Sequence, residues 1–451
     1  MCGKKNRLFH ERRHVGQKVS SSHDLPPETR LIETMTAVLG FALCGYVCIL
    51  AVGDVWLAII HLRFARAELA RERRLPRLAV VDSALPMVCI QLPIFNEAQQ
   101  IAPALEALCL LDWPRDRLEI MVLDDSTDAT SAIAQGETER WRARGISIIH
   151  VRRAHRQDFK AGALAAGMAL TTAAYLAIFD ADYRPGPCFL RDTMGPLLKD
   201  DTLAFVQARL DYRNRTHNLL TRAQALDLDT LLAYEQAARS WAGVPLTFNG
   251  TCGVWRRQAI EDAGGWSGAS LAEDQDLSLR AYERGWRSRY LVSVAAAGEL
   301  PERFDVLVTQ RQRWSSGTAQ TFRGLPWRIL GQLRASQAIP FVLLTLFYAT
   351  VSPALVLAML TVATAWLLGA SQAPGLSAML LVAFAAVVVP KSIGAALASR
   401  ALGRPIGIAF ALDLAGLWAM QAALLPIGAA ALARGYLFRR LAFLRTPKSQ
   451  G

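Results

Sequence analysis

An α/β domain built on a mainly parallel, doubly wound sheet, and fastened to a membrane by α-helical segments, is the fold class this sequence predicts. Between residues 86 and 302, short apolar runs of strand composition alternate with amphipathic helical stretches. Repeated βα units of this kind build parallel sheets. Three of the runs end in acidic or amide residues, where ligands of doubly wound sheets bind. Outside this region lie apolar stretches of the roughly 20 residues that cross a bilayer.

The composition agrees. The chain has 451 residues, and its 52% hydrophobic and 20% charged content suits a soluble domain carrying membrane segments. Its net charge of +12 is not a nucleic-acid signal. Residues 1–30 hold seven basic against three acidic residues, residues 62–80 six against two, and residues 434–451 five against none. These segments carry the whole excess, and all but the first directly adjoin apolar stretches, which reads as headgroup contact. The seven cysteines are scattered and form no C-x-x-C pair, which fits a reducing compartment.

In chain order, residues 1–30 form a basic tail and residues 31–62 a transmembrane helix. Asp54 near the end of that span reads as a snorkelling carboxylate. Residues 63–85 form a basic juxtamembrane linker. Its arginines outweigh the cations on the other side, which puts the following domain in the cytoplasm and the N-terminus outside. The α/β domain occupies residues 86–304, with strands in MVCIQLPIF, EIMVLDD, ISIIHVRR and LAIFDAD, and helices near Ala98–Leu111, Thr130–Ala143 and from Ala161. Residues 305–335 read as amphipathic interface helices and residues 336–398 as two further transmembrane helices. Residues 405–436 form an interfacial (or transmembrane) helix with Asp413 and Gln421 turned from the lipid, and residues 437–451 a cytoplasmic tail.

The candidate site grows from F-D-A-D. Side chains two apart in an extended chain share a face, so Asp180 and Asp182 can close on one hard cation, Mg²⁺ or Mn²⁺. A solvated strand end is the bland alternative. Asn96 and Glu97 follow the first strand, and Asp124 and Asp125 the second. No glycine-rich phosphate loop occurs, so metal and cations such as Lys160 would have to neutralise phosphate. Thr247–Trp255 joins small polar residues to aromatics, as close backbone approach to a polyhydroxylated ligand requires. Asp274 falls in the first turn of a helix, where the dipole favours its anion. Q-R-Q-R-W places arginines suited to diphosphate, and an indole suited to a sugar face, on an amphipathic helix.

The ordered set Q-L-P-I-F-N-E, V-L-D-D-S-T-D, F-K-A-G-A-L, F-D-A-D, F-N-G-T-C-G-V-W-R, A-E-D-Q-D-L and Q-R-Q-R-W resembles the family 2 glycosyltransferases. Within them it is most similar to the processive, cellulose-synthase-like glucomannan and xyloglucan-backbone synthases. The resemblance implies a GT-A fold, a nucleotide-sugar donor, a divalent metal and inversion at the anomeric carbon. It implies that Asn96, Glu97, Asp124, Lys160, Asp180, Gln310 and Arg313 bind the donor, and that Asp180 and Asp182 bind the metal. Asp274 would be the general base, with Asn249, Gly250, Thr251 and Trp314 at the acceptor. Two departures stand out. Ala272 replaces the Thr of the usual T-E-D, and Phe443, Arg445, Thr446 and Lys448 give the gating-loop motif F-x-V-T-x-K with Arg for Val.

The expected function is therefore processive β-glycan synthesis from UDP-glucose or GDP-mannose, in the bacterial inner membrane or its equivalent. The partners are donor, glycan acceptor and lipid bilayer. The chain stops where cellulose synthases continue into more membrane helices, so export would call on additional subunits. Two other readings are a non-processive glycosyltransferase acting on a lipid or oligosaccharide and a non-catalytic membrane binding or transport protein.

Overall fold

The computed structural model describes residues 26–74, 84–438 and 441. The proposed gating residues 443–448 lie outside them. The chain enters through α1 (Pro27–Arg73), one continuous helix of 47 residues that runs unbroken from the apolar span into the arginine-rich segment.

The first half of the α/β domain follows the predicted order closely. It comprises β1 (Val88–Ile94), α2 (Ala98–Cys109), β2 (Leu118–Asp124), α3 (Thr130–Ala143), β3 (Ile148–Arg152), α4 (Phe159–Ala169) and β4 (Tyr175–Ile178). In β1, every residue but Pro93 is buried, the near-continuous apolar pattern of a strand covered on both faces. Strands β1–β4 pair in parallel in the order β3-β2-β1-β4, so the carboxyl ends of β1, β2 and β4 lie side by side on one rim.

The second half mixes strand directions. It contains β5 (Arg184–Pro185), α5 (Phe189–Lys199), β6 (Leu203–Tyr212), α6 (Leu219–Asp229), a π-helical turn (Thr230–Gln236) and α7 (Ala237–Trp241). After these come β7 (Gly253–Arg256), α8 (Arg257–Asp262), α9 (Glu273–Glu283) and β8 (Arg287–Gly298). Strand β7 runs antiparallel between β4 and β6, β6 and β8 are parallel, and β5 pairs antiparallel with the end of β8. The result is an eight-stranded, mostly parallel mixed sheet among the described residues. Phe205, Phe248 and Trp255 interlock in its core, with ring centroids 4.5 to 5.6 Å apart.

Helix α10 (Phe304–Arg323) carries Q-R-Q-R-W, and α11 (Ala335–Leu367), α12 (Ala373–Ala401) and α13 (Ile408–Leu437) follow. By length and composition, α1, α11, α12 and α13 are each able to cross a membrane. Helix α1 packs along α11 and α12, whereas α13 packs on α10, α6 and α11. Asp413 of α13 accepts from Arg222 Nε at 2.7 Å, and Gln421 donates to Asp227 at 2.8 Å. Both polar positions therefore face protein, as the sequence predicts.

Asp54 does not snorkel. It is only 1% exposed, and its Oδ1 accepts from Lys391 Nζ of α12 at 3.1 Å.

Candidate active site

The rim opens into one cavity of about 520 Å³ between the sheet ends, α9, α10 and α11. Near it the backbone adopts conformations that few side chains tolerate. Asn96, Asp158, Phe159 and Cys252 are the non-glycine residues with positive φ among the described residues, between 47° and 57°. Each immediately adjoins a residue that lines the cavity or the helix start that carries one. Such conformations cost about 1–3 kcal/mol each and persist only where surrounding contacts enforce them. Asp158 and Phe159 are consecutive, and the sharp entry they make into α4 delivers Lys160 to the site.

Lys160 Nζ donates to Asp180 Oδ1 at 2.5 Å and to the Gly250 carbonyl at 2.8 Å. Burial alone would lower its pKa, but the charges of Asp180, Glu273 and Asp274 outweigh that and raise it. Asp180 N in turn donates to Thr251 Oγ1 at 2.8 Å. Gly250 has φ +76°, and a Cβ there would come within 3.0 Å of Asp274 Oδ2, so both its conformation and its neighbour demand glycine.

Asp274 sits in the first turn of α9, and the Gln275 amide donates to its Oδ1 at 2.8 Å. Burial, then the charge of Glu273, pushes its pKa up to about 7, against the opposing pull of Lys160. Ala272 caps α9 without a hydroxyl, and the Ser270 side chain accepts its amide at 3.0 Å instead. A Cβ on Gly317 of α10 would lie 2.9 Å from that of Ala272, so two small residues let α10 close on the start of α9. On α10, Gln310, Arg313 and Trp314 form one i, i+3, i+4 face lining the cavity. Arg313 lies in the field of Glu273, Asp180, Asp274 and Glu97.

Of the residues named from the sequence, Glu97, Lys160, Asp180, Asp182, Asn249, Gly250, Thr251, Asp274, Gln310, Arg313 and Trp314 line this cavity. Asn96 and Asp124 are not among its lining. Asn96 bridges two rim loops, accepting the Thr127 amide at 2.8 Å. Asp124 is buried and accepts from Ser126 N, Ser131 Oγ and His150 Nε2. Burial would raise its pKa, but these hydrogen bonds hold it well below the usual carboxylate range.

Asp125 faces the cavity instead, held by Arg153 Nε at 2.9 Å, and Arg156 lies 3.5 Å over the Phe95 ring. Glu273 and Glu235 also line the cavity, and sequence reading missed both. Adjacency to Asp274 was the available signal for Glu273. The cavity continues beyond Trp314 to Phe341, Thr345, Tyr348 and Ala349 of the membrane-long helix α11.

The donor set fits a hard divalent cation. Asp180 and Asp182 offer carboxylate oxygens alone, and the Lys160 ammonium already rests on Asp180. Among the described residues no cluster of three or more His, Cys, Asp or Glu could hold a metal by itself. A phosphate-bearing ligand would have to complete the shell.

Acidic strand ends, a lysine on one of them and a helix-borne carboxylate facing both across a single cavity define a GT-A-type domain. Residues 175–388 match the family described as "Glycosyl transferase family group 2". The chain is 42% identical to glucomannan 4-β-mannosyltransferase 1 of Oryza sativa subsp. japonica, over 55% of this chain and 48% of that one. Glucomannan 4-β-mannosyltransferase 9 of Arabidopsis thaliana gives 42% identity over the same shares. Over the matched residues the chain is thus similar to family 2 glycosyltransferases and to glucomannan mannosyltransferases, and it spans about half the length of the curated relatives it matches. A mannosyltransferase from Pyrobaculum calidifontis, solved in complex with GDP-Man and Mn²⁺, shares the fold with a TM-score of 0.52 and 22% identity. That likeness covers 78% of this chain and 99% of that one.

Proposed function

We propose that this chain is the catalytic part of an inverting, metal-dependent and processive β-glycan synthase. It transfers hexose from a nucleotide sugar to a growing polysaccharide at the membrane. The relatives' names favour mannose, with GDP-mannose as donor and UDP-glucose as the alternative. One observation carries the reading: a single cavity joins the acidic rim, the Asp274 carboxylate and the Q-R-Q-R-W face to a membrane-long helix.

In this reading Asp274 takes the proton of the acceptor hydroxyl as its oxygen bonds to the anomeric carbon. The bond from that carbon to the diphosphate breaks on the opposite side, and the nucleoside diphosphate leaves with the electron pair. Lys160 and Arg313 supply fixed positive charge to the leaving group. Mg²⁺ or Mn²⁺ held by Asp180 and Asp182 would add charge at the same diphosphate. Trp314 offers the acceptor sugar an aromatic face. The test is to incubate the purified chain with labelled GDP-mannose and UDP-glucose plus Mn²⁺ and to size the products. Long chains are expected. Single additions would favour a non-processive enzyme, and no turnover of either donor would remove the reading.

The proposed segments follow the boundaries set out from sequence, with the domain of residues 86–304 in the cytoplasm. Helix α13 is assigned to the cytoplasmic interface because its polar residues Asp413 and Gln421 bond to Arg222 and Asp227 of α6. A cysteine replacing Leu437, which is 75% exposed at the end of α13, should react only with membrane-permeant thiol reagents in a background without native cysteines. Labelling of intact cells by an impermeant reagent would make α13 a true span.

A further inference from the structure

The turn that carries Asp180 and Asp182 leaves the sheet. Strand β4 ends at Ile178, and β5 pairs only with β8. The carbonyls of Ala181, Asp182 and Tyr183 therefore lie outside any strand ladder, and two guanidiniums take them. Arg184 Nη1 donates to the Ala181 carbonyl at 2.5 Å and to the Tyr183 carbonyl at 3.0 Å. Its Nη2 donates to the backbone and side-chain oxygens of Gln100 at 3.1 and 2.7 Å. Arg213 Nη2 donates to the Asp182 carbonyl at 3.2 Å and to Glu299 Oε1 at 3.0 Å, while Nη1 reaches the Ala297 carbonyl at 2.7 Å.

Neither arginine lines the main cavity. Both line a second, open hollow of about 710 Å³, with Gln100, Glu106 and Glu299. The hollow is a poor anion site, because the arginine donors are committed to carbonyls and carboxylates and two glutamates share it. Burial, and then the charge of Arg213, pulls the Arg184 pKa down to about 10. Two like charges are thus held together at one short turn. The turn is pinned from other directions as well: Tyr183 N donates to the Asp180 carbonyl at 3.1 Å, and a Cβ on Gly298 would strike the Tyr183 ring at 2.6 Å.

We propose that Arg184 and Arg213 are positioning residues: by holding three consecutive carbonyls of the D-A-D-Y turn, those of Ala181, Asp182 and Tyr183, they fix the angle at which Asp180 and Asp182 meet a divalent cation. This inference rests on the metal-dependent reading above. Its physical basis is that backbone orientation in the turn sets where both carboxylates point. Partners that orient metal-ligating groups typically matter by about 10–100-fold in metal affinity.

The experiment is an Mn²⁺ titration of equilibrium GDP-mannose and UDP-glucose binding to the full chain in detergent, for wild type, Arg184→Gln and Arg213→Gln. Each variant is expected to raise the half-saturating Mn²⁺ concentration about 10-fold or more. Metal-free nucleotide affinity and melting temperature should stay close to wild type, and Arg184→Lys should recover part of the loss. If Arg184→Gln does not fold, Arg213→Gln, whose side chain is 35% exposed, decides the matter. An unchanged Mn²⁺ requirement in a folded variant overturns the proposal, as does an equal loss of binding with and without metal. Wild-type binding that ignores Mn²⁺ overturns the metal reading itself, and this inference with it; that result shows in the wild type alone.

Discussion

Asp274→Asn is expected to lower glycosyl transfer by about 10²–10⁴-fold, the usual contribution of a general base, while donor affinity changes little. The carboxylate lines the cavity beside Gly250 and Lys160, and in the proposed mechanism its loss removes a proton acceptor and leaves the donor contacts in place. Its ionisation adds a second signature. Burial and Glu273 push Asp274 up to about 7. The ionised form is the base, so kcat/KM should fall as pH drops through about 7 and level off above it. In the Asn variant that acid limb should vanish from whatever activity remains. A variant within about threefold of wild-type turnover, or one that keeps the limb, would remove Asp274 from this role.

The parallel half of the sheet was legible because its signals are local. Apolar runs such as V-C-I-Q-L-P-I alternate with amphipathic helices, and the ends of β1, β2 and β4 announce themselves with Asn, Asp or Glu. The antiparallel insertion of β7 between β4 and β6 was not legible. Its pairing is set by residues about 50 to 80 positions away, and its four residues, G-V-W-R, carry no period of their own. The π-helical turn at Thr230–Gln236 was invisible too, since one extra residue per turn leaves no mark on composition.

The site divides in the same way. Motifs singled out Lys160, Asp180, Asp182 and Asp274, and the fold brings all four to one cavity. Neighbouring residues at the end of β2 were harder to separate. Adjacent side chains on a strand point to opposite faces, and only the register shows that Asp124 turns to His150 while Asp125 turns to the cavity. Asp54 posed the same problem on a larger scale: one carboxylate in an apolar run gives no hint of a partner 337 residues away.

That partnership yields the second large expected effect. Asp54 is 1% exposed, accepts from Lys391 at 3.1 Å, and has its own carbonyl bonded to the Tyr234 hydroxyl at 2.9 Å. Lys391 also lies 4.8 Å from the Phe347 ring and 5.5 Å from that of Tyr348, whose hydroxyl donates to Glu235. The cluster ties α1, α11 and α12 to the π-helical turn of the catalytic half. Removing one member of a buried pair strands a charge and typically costs about 3–5 kcal/mol, whereas replacing both with apolar residues of similar volume is often neutral or stabilising. Lys391→Met alone should therefore destabilise the chain by about 3–5 kcal/mol. The double substitution Asp54→Leu with Lys391→Met should recover most of that loss. Denaturant unfolding in mixed micelles measures both, and a double-mutant cycle isolates the coupling. Strictly additive losses would mean that the two charges do not depend on each other. A cost below about 1 kcal/mol for the single change would mean that water reaches the pair and that the exposed-ion-pair magnitude applies.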